Sequence, residues 1–391
     1  MDRIAEIQQA LRVAQLDGWL FYDFHNRDLI AYRILGLDAA KMTTRRWYYF
    51  VPAEGQPRKL CHSVEPHRLD PLPGAKKIYL PWQQMQALLK ETLGDARRVA
   101  MQYSPNCQIP YVSMADAGTV ELVRSFGVEI VTSADLVQRF EAFVGDEAFA
   151  THLEAGRRMH AILDATWAEI ARRVKAGTPT ELEIQEHMLE LYRKHGMAWH
   201  DKPIVAVGPH AADPHFEPRP DNTVPIKPGD RVLIDLWAKV DAPGAIYFDI
   251  TWMGYVGSEI PDDYARVFAI ARDARDAGVK LIEERVAKGT PVAGWEVDRA
   301  VRAHIEAKGY GPYFVHRTGH CIGEEVHGNG ANIDNLETKD ERRLVPGTLF
   351  SIEPGIYLPE FGVRTEIDCY VSTKNEVIVS GPRQQEIVKI V

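Results

Sequence analysis

Apolar residues Ile4, Ile7, Leu11 and Val13 recur at helical spacing among the charges of MDRIAEIQQALRVAQLDGW. They predict an amphipathic helix over about 2–16. Short β-prone runs follow in DGWLFYD, RRWYYFVP, RKLCHSV, KKIYLPW and RRVAMQY, with helical patterns near MQALLKETLG and ahead of VEIVTSADLVQRF. This alternation reads as a small α/β unit. From about residue 147 the texture changes. EAFATHLEAGRRMHAILDATWAEIARRVKAG is one long helical pattern closed by Gly177. Thr180 and Glu183 then stand at capping-box spacing ahead of a second helix. Past residue 200, strands and hairpins are interrupted by helices near 261–287 and 294–308. The expected fold class is α+β, with a small α/β domain over 1–145 and a larger domain over 146–391.

One pattern repeats inside the larger domain. PGDRVLID, Pro228 to Asp235, and PGTLFSIE, Pro346 to Glu353, share a Pro-Gly turn, an apolar strand and a closing acid. After the first copy, the turn signal Asp241-Ala242-Pro243-Gly244 lies between two β-prone runs and predicts a hairpin. Centred on Ala242, that hairpin sets Asp235 opposite Asp249. Directly opposed residues have Cβ atoms about 4.5–5.5 Å apart, where like charges repel. Three readings stand: a register slipped by one, two carboxylates solvated at a sheet edge, or a divalent cation between them. Leu233, Ile234, Ile250 and Trp252 suggest burial, which favours the cation.

After the second copy, Glu360-Phe361-Gly362 is the expected turn of another hairpin. Arg364, Glu366 and Asp368 then share one strand face by the period of two. Glu353 and Glu366 occupy the places in this hairpin that Asp235 and Asp249 occupy in the first. Two hairpins with two acids each are what a duplicated half-domain supplies to a site on its pseudo-twofold axis.

The stretch RTGHCIGEEVHG, Arg317 to Gly328, adds His320 and His327. Their spacing is not that of HExxH, so they do not bind one zinc from successive helix turns. Gly319 and Gly323 bracket His320 and permit close approach or unusual backbone angles. Four carboxylates and one imidazole form a hard, oxygen-rich set. It favours Mn²⁺ or Co²⁺ over a structural zinc site, and it suits two ions better than one.

Composition narrows the field. The 391 residues are 45% hydrophobic and 26% charged, with a net charge of −9. That length predicts more than one domain, and the acidic balance argues against a nucleic-acid partner. No apolar run approaches the ~18 residues of a membrane span. The N-terminal stretch lacks the apolar centre of a signal peptide. Cys61, Cys107, Cys321 and Cys369 are scattered, which argues against a disulfide framework and makes the cytoplasm the expected compartment.

Asp235, Asp249, His320, Glu353 and Glu366, in that order, resemble the ligand set of the dinuclear-metal pita-bread peptidases: methionine aminopeptidase, aminopeptidase P and prolidase. DLWAKVDAPGAIYFDIT, HRTGHCIGEEVHG, SIEPGIYL and VRTEID look like that family's motifs. The N-terminal α/β domain is similar to the creatinase-type domain of prolidases and aminopeptidase P. Three departures show. Trp252 stands where many relatives have arginine, Phe216 where His-Tyr is frequent, and Cys321 where glycine is usual. None is a ligand. They bear on the shape of the substrate pocket.

The resemblance implies a metal-dependent Xaa-Pro dipeptidase, with two divalent ions per chain, Mn²⁺ first and Co²⁺ or Zn²⁺ as alternatives. The ions, about 3.5–4 Å apart, would share a bridging hydroxide. Asp249 and Glu366 would bridge them, Asp235 would hold one, and His320 and Glu353 the other. Glu353 is the expected general base. His215 and His327 would hydrogen-bond the substrate and its developing oxyanion. Arg364 would orient an acidic ligand. The expected partners are a short proline-containing peptide and a second copy of the chain, with neither nucleic acid nor membrane. Three other activities remain open: aminopeptidase P action on longer peptides, a metal-free creatinase-like hydrolysis, and binding without catalysis.

Overall fold

The computed structural model describes residues 3–391, which divide into two compact units, the first ending at Glu141 and the second spanning Ala142–Val391. The first unit is built on six strands: β1 (Gly18–Asp23), β2 (Trp47–Pro52), β3 (Arg58–His62), β4 (Ala75–Tyr79), β5 (Arg98–Met101) and β6 (Glu129–Thr132). Their order is β4-β3-β2-β1-β5-β6, with β2 antiparallel to both its neighbours and the remaining pairs parallel.

Helices cover both faces of that sheet. On one lie α1 (Arg3–Val13), α2 (Leu29–Leu35) and α5 (Ala134–Phe140), packed with Trp19 and Phe21. On the other lie α3 (Trp82–Leu93) and α4 (Ala117–Ser125), packed with Leu20 and Tyr22. Burial on both faces explains why β1 and β2 read as unbroken apolar runs rather than alternating ones. The helix expected over 2–16 is α1; residue 2 lies outside the described residues. Helix α2 was not anticipated. Its seven residues are too few for periodicity, although its Asp28 cap accepts from the Ala31 amide and Gly36 closes it at φ 64°.

The second unit opens with the long α6 (Asp146–Ala176), ended by Gly177, and α7 (Glu181–Lys194). The Thr180–Glu183 capping box of α7 is formed in both directions. Two further helices are α8 (Asp262–Ala287) and α9 (Gly294–Ala307). The strands are β7 (Met197–Ala198), β8 (Ile204–Val207), β9 (Arg231–Val240), β10 (Phe248–Tyr255), β11 (Thr348–Ile352), β12 (Gly355–Leu358), β13 (Phe361–Arg364), β14 (Ile367–Val371), β15 (Val377–Ser380) and β16 (Val388–Lys389). Helices α6 and α7 pack on the even-numbered face of β9, through Val232, Ile234 and Leu236. Helices α8 and α9 pack against β11 and β14 and reach Leu233 and Met253. Among the described residues, no helix is long and apolar enough to cross a membrane.

The repeat seen in the sequence is a repeat in space. Gly229 and Gly347 adopt φ 92° and 89°. Each donates its amide across the hairpin at 2.7 Å, to Val256 O and Val371 O respectively. Only glycine takes that left-handed turn position without strain.

Candidate metal centre

The first hairpin is longer in its turn than expected. Asp249 pairs with Trp237, and Asp235 pairs with Thr251. The register is therefore shifted by two from the predicted one. A shift of two keeps every side chain on its face, so Asp235, Asp249 and Thr251 still project together. The second hairpin also differs. Its turn is Pro359-Glu360, and Gly362 lies inside β13. A Cβ on Gly362 would meet Ala211 O at 1.7 Å, so the glycine serves close approach there. The run carrying Arg364, Glu366 and Asp368 is broken between β13 and β14, and all three side chains are buried. At the break, Arg275 of α8, fully buried, donates to Thr365 Oγ1 at 2.8 Å.

His320 arrives on a segment that runs antiparallel along β11. Ile322 N, Ser351 N and Glu353 N donate to Leu349 O, His320 O and Thr318 O at 2.9, 2.9 and 2.7 Å. Gly319 is required, because a Cβ there would meet Ser351 O at 2.0 Å. Gly323 is not; nothing lies within 4 Å of its Cβ position, and its φ is not left-handed. Cys321 turns away from His320 and packs over Gly328 and Gly330, where added Cβ atoms would meet its sulfur at 2.9 and 2.6 Å.

One cavity of about 620 Å³ is lined by Asp235, Asp249, His320, Glu353, Glu366, His215, His327 and Arg364. Its walls also carry Ile204, Phe216, Trp237 and Val326. Every residue expected at the site is therefore on this cavity. Phe216 lines it, stacked on His210 at 4.2 Å. Trp252 does not: it pairs with Ile234 on the helix side of β10 and packs edge-on against His160. It cannot narrow the pocket.

Within the cavity, ligand atoms of Asp249, His320 and Glu366 lie within 4.8 Å of one another. His320 Nε2 is 3.5 Å from Asp249 Oδ2 and 3.4 Å from Glu353 Oε1. Its Nδ1 faces Cys321 O at 3.2 Å. That contact puts the ring proton on Nδ1 and leaves the Nε2 lone pair directed at the acids. Asp235 is held from outside, by Arg364 Nη2 at 2.5 Å and by Thr251 Oγ1 at 2.9 Å. Thr251 also contacts Glu366 Oε2 at 2.8 Å and accepts from Arg364 Nε at 3.0 Å. Asp368 lies behind, accepting the Asp249 amide at 2.8 Å.

Burial, reinforced by neighbouring acids, pushes the carboxyls of Asp249 and Glu366 well above the usual range. Burial also raises Glu353 to about 7. The imidazole of His320 is driven well down, and that of His327 to about 4, chiefly by burial. Such a set carries protons when no cation is present and ionises around one. Asp249 Oδ1 is buried without a hydrogen-bond partner, an expensive state that a bound cation removes. The donor set is oxygen-rich with one imidazole, and it fits divalent metal.

Sequence reasoning missed Thr251 and the pair His316–Tyr357, and it placed Asp368 on the face of Glu366 without giving it a role. Tyr357 Oη lies 2.7 Å from His316 Nε2 and accepts from Arg364 Nη1 at 3.0 Å. Thr251 was detectable in principle, since it stands two residues beyond Asp249 on the same face.

Comparison with known proteins accounts for the arrangement. The model of metallopeptidase family M24 matches residues 154–373. The chain belongs to metallopeptidase family M24. It is 30% identical over 279 residues to the probable dipeptidase PepE of Mycobacterium tuberculosis, covering 71% of this chain and 68% of that protein. It is 37% identical over 174 residues to the Xaa-Pro dipeptidase of Lactobacillus helveticus, 44% of this chain and 42% of that one. The crystal structure of dipeptidase PepE from Mycobacterium ulcerans superposes with a TM-score of 0.71 at 24% identity, over 99% of this chain and 97% of that one. The fold is thus that of the prolidase-like M24 proteins, with a small α/β unit preceding the pita-bread unit. Family membership makes this chain a metallopeptidase and implies divalent metal at the cavity.

Proposed function

We propose that this M24 metallopeptidase is an Xaa-Pro dipeptidase holding two divalent ions. The observation that carries it is the convergence of Asp235, Asp249, His320, Glu353 and Glu366 on one cavity, with Asp249 Oδ1 left buried and unpartnered. Relatives named as dipeptidases, including one Xaa-Pro dipeptidase, support the substrate class.

Asp249 and Glu366 would be shared between the ions, Asp235 would complete one, and His320 with Glu353 the other. Mn²⁺ is the expected metal, because four of the five donors are hard oxygens. Bound there, the ions would polarise the scissile carbonyl and acidify a water. Glu353 has the properties of a proton acceptor: its carboxyl sits at about 7, and its side chain keeps 15% of its surface exposed. His327, neutral at pH 7, offers one N–H to the oxygen that gains charge. His215, exposed and lining the same cavity, offers a second donor to the substrate. Arg364 fixes Asp235 and the carbonyl of Pro214 at once. A dedicated pocket suits proline, whose imide nitrogen has no hydrogen for a general peptidase to hold.

The test is hydrolysis of Gly-Pro by protein stripped with chelator and then reloaded. Activity that vanishes on stripping and returns with Mn²⁺ supports the reading. Undiminished activity in stripped protein, or none on any Xaa-Pro peptide, overturns it.

A further inference from the structure

The wall that carries His215 is a segment without strand structure, running from Gly208 to Thr223 between β8 and the turn before β9. Such a segment has no ladder to hold it, yet its two ends meet on one carboxylate. Glu181, the first residue of α7, is fully buried. Its Oε1 accepts the Val207 amide at 2.8 Å, and its Oε2 accepts the Val224 amide at 3.0 Å. His210, inside the segment, places Nδ1 at 2.9 Å from Oε1 and 3.0 Å from Oε2. Three donors from both ends and the interior of one loop thus converge on one buried anion. Charge-assisted bonds of this kind are the strong ones.

The clamp reaches the cavity in two contacts. The His210 ring stacks on Phe216 at 4.2 Å and 23°. Phe216 follows His215, whose amide is fixed by Asp213 Oδ1 at 3.0 Å. From the other side, Arg364 Nη1 donates to Pro214 O at 3.1 Å. His215 is therefore pinned between the metal-side Arg364 and the Glu181–His210 pair, which touches no expected ligand.

We propose that Glu181, acting through His210, is the positioning residue that holds His215 in reach of the substrate. This rests on the Xaa-Pro dipeptidase reading. His210→Phe keeps an aromatic ring for the Phe216 stack and removes only the donor to Glu181. The variant should retain wild-type metal content and lose roughly ten- to a hundred-fold in kcat for Gly-Pro, with KM within about twofold. Misplacement by ~1 Å remote from the chemistry is known to cost that much. A fall in kcat and kcat/KM together marks a lost transition-state contact.

The deciding measurement is a mutant cycle with His215→Ala. In the His215→Ala background, His210→Phe should change kcat by less than about twofold, because the contact it serves is already gone. A parallel hydrogen-exchange experiment on the metal-loaded proteins should show faster amide exchange over residues 208–223 in both His210→Phe and Glu181→Ala. The same loss of kcat in both backgrounds overturns the proposal, and so does unchanged exchange in His210→Phe. If the wild type hydrolyses no Xaa-Pro peptide, the functional reading falls, and the clamp stands or falls on the exchange result alone.

Discussion

Replacing Thr251 by valine removes one hydroxyl and almost no volume, at a position with no exposed surface. That hydroxyl meets three charged groups: Asp235 Oδ1, Glu366 Oε2 and Arg364 Nε, at 2.9, 2.8 and 3.0 Å. It has a single proton, so it donates to one carboxylate and accepts from Arg364. The other carboxylate must itself bring a proton, as Glu366 can when burial raises its pKa and no cation is near. The backbone tie from Glu366 N to Thr251 O, at 3.2 Å, survives the substitution, so the strands stay together. What is lost is orientation of two acids that would hold the proposed ions. A hydrogen bond to a charged group contributes about 1.5–3 kcal/mol. Groups that orient ligands typically change metal affinity by about 10–100-fold, or about 1.4–2.7 kcal/mol, in line with one such bond. Thr251→Val should therefore weaken Mn²⁺ binding by about that factor, read by competition against a chromophoric chelator. Thr251→Ser, which keeps the hydroxyl, should stay within about threefold of wild type. A valine variant as tight as wild type, or a serine variant as weak as valine, would refute the reasoning.

Other expectations follow from the same geometry. Asp249→Ala and Glu366→Ala should lose metal and activity together, by elemental analysis and Gly-Pro turnover. His327→Ala should keep its metal and lose roughly 10²–10³ in kcat, as for one transition-state donor; metal loss there would place His327 among the ligands. Metal-stripped protein should lose melting temperature from pH 6.5 to 8. Glu353 and Asp28, both raised to about 7, and Asp249 and Glu366, also raised well above the usual carboxyl range, hold protons that the unfolded chain has released. His152, His316 and His327, lowered to about 4, 3 and 4, act in the opposite direction, but the unfolded imidazoles have lost half their protons by about pH 6.5 and nearly all by about pH 7.5, so this opposition fades across the window while the raised carboxyls prevail. A flat or rising profile in calorimetry contradicts this. Gly-Pro should be cleaved far faster than Gly-Pro-amide or a Gly-Pro-Xaa tripeptide, because a site built for a terminal carboxylate leaves buried partners unpaired without it. Comparable kcat/KM on the tripeptide favours an aminopeptidase acting on longer peptides.

Much of this is legible in the sequence. The long α6 and its Gly177 stop, the α7 capping box, and α8 and α9 each carry local signals: periodicity over many residues, or a cap at fixed spacing. The acids were legible for a different reason. A strand has only two faces, and residues two apart share one. The predicted register of the first hairpin was wrong by two, yet Asp235 and Asp249 came out together, because an even slip preserves the face. Parity also assigns Trp252 to the helix side with Ile250, and it could have removed that residue from the pocket at the outset.

The rest was hidden because it depends on residues brought together from far along the chain. Thr251 bonds Glu366 across 115 positions, and Arg364 bonds Pro214 across 150. No local pattern marks a threonine or a carbonyl as the partner of a distant carboxylate. Glu181 illustrates the difficulty best. In sequence it is a favourable acid in the first turn of a helix, and the dipole alone justifies it there. In the fold it is fully buried and spends both oxygens on the amides at the ends of one loop. An exposed first-turn glutamate would satisfy the helix equally well, so the helix does not explain its burial. Ionising a buried carboxylate is opposed by desolvation, and the bonds offsetting that cost come from His210 within the segment carrying His215 and from Val207 and Val224, which flank it. The residue is thus better explained by the cavity wall than by the helix it begins.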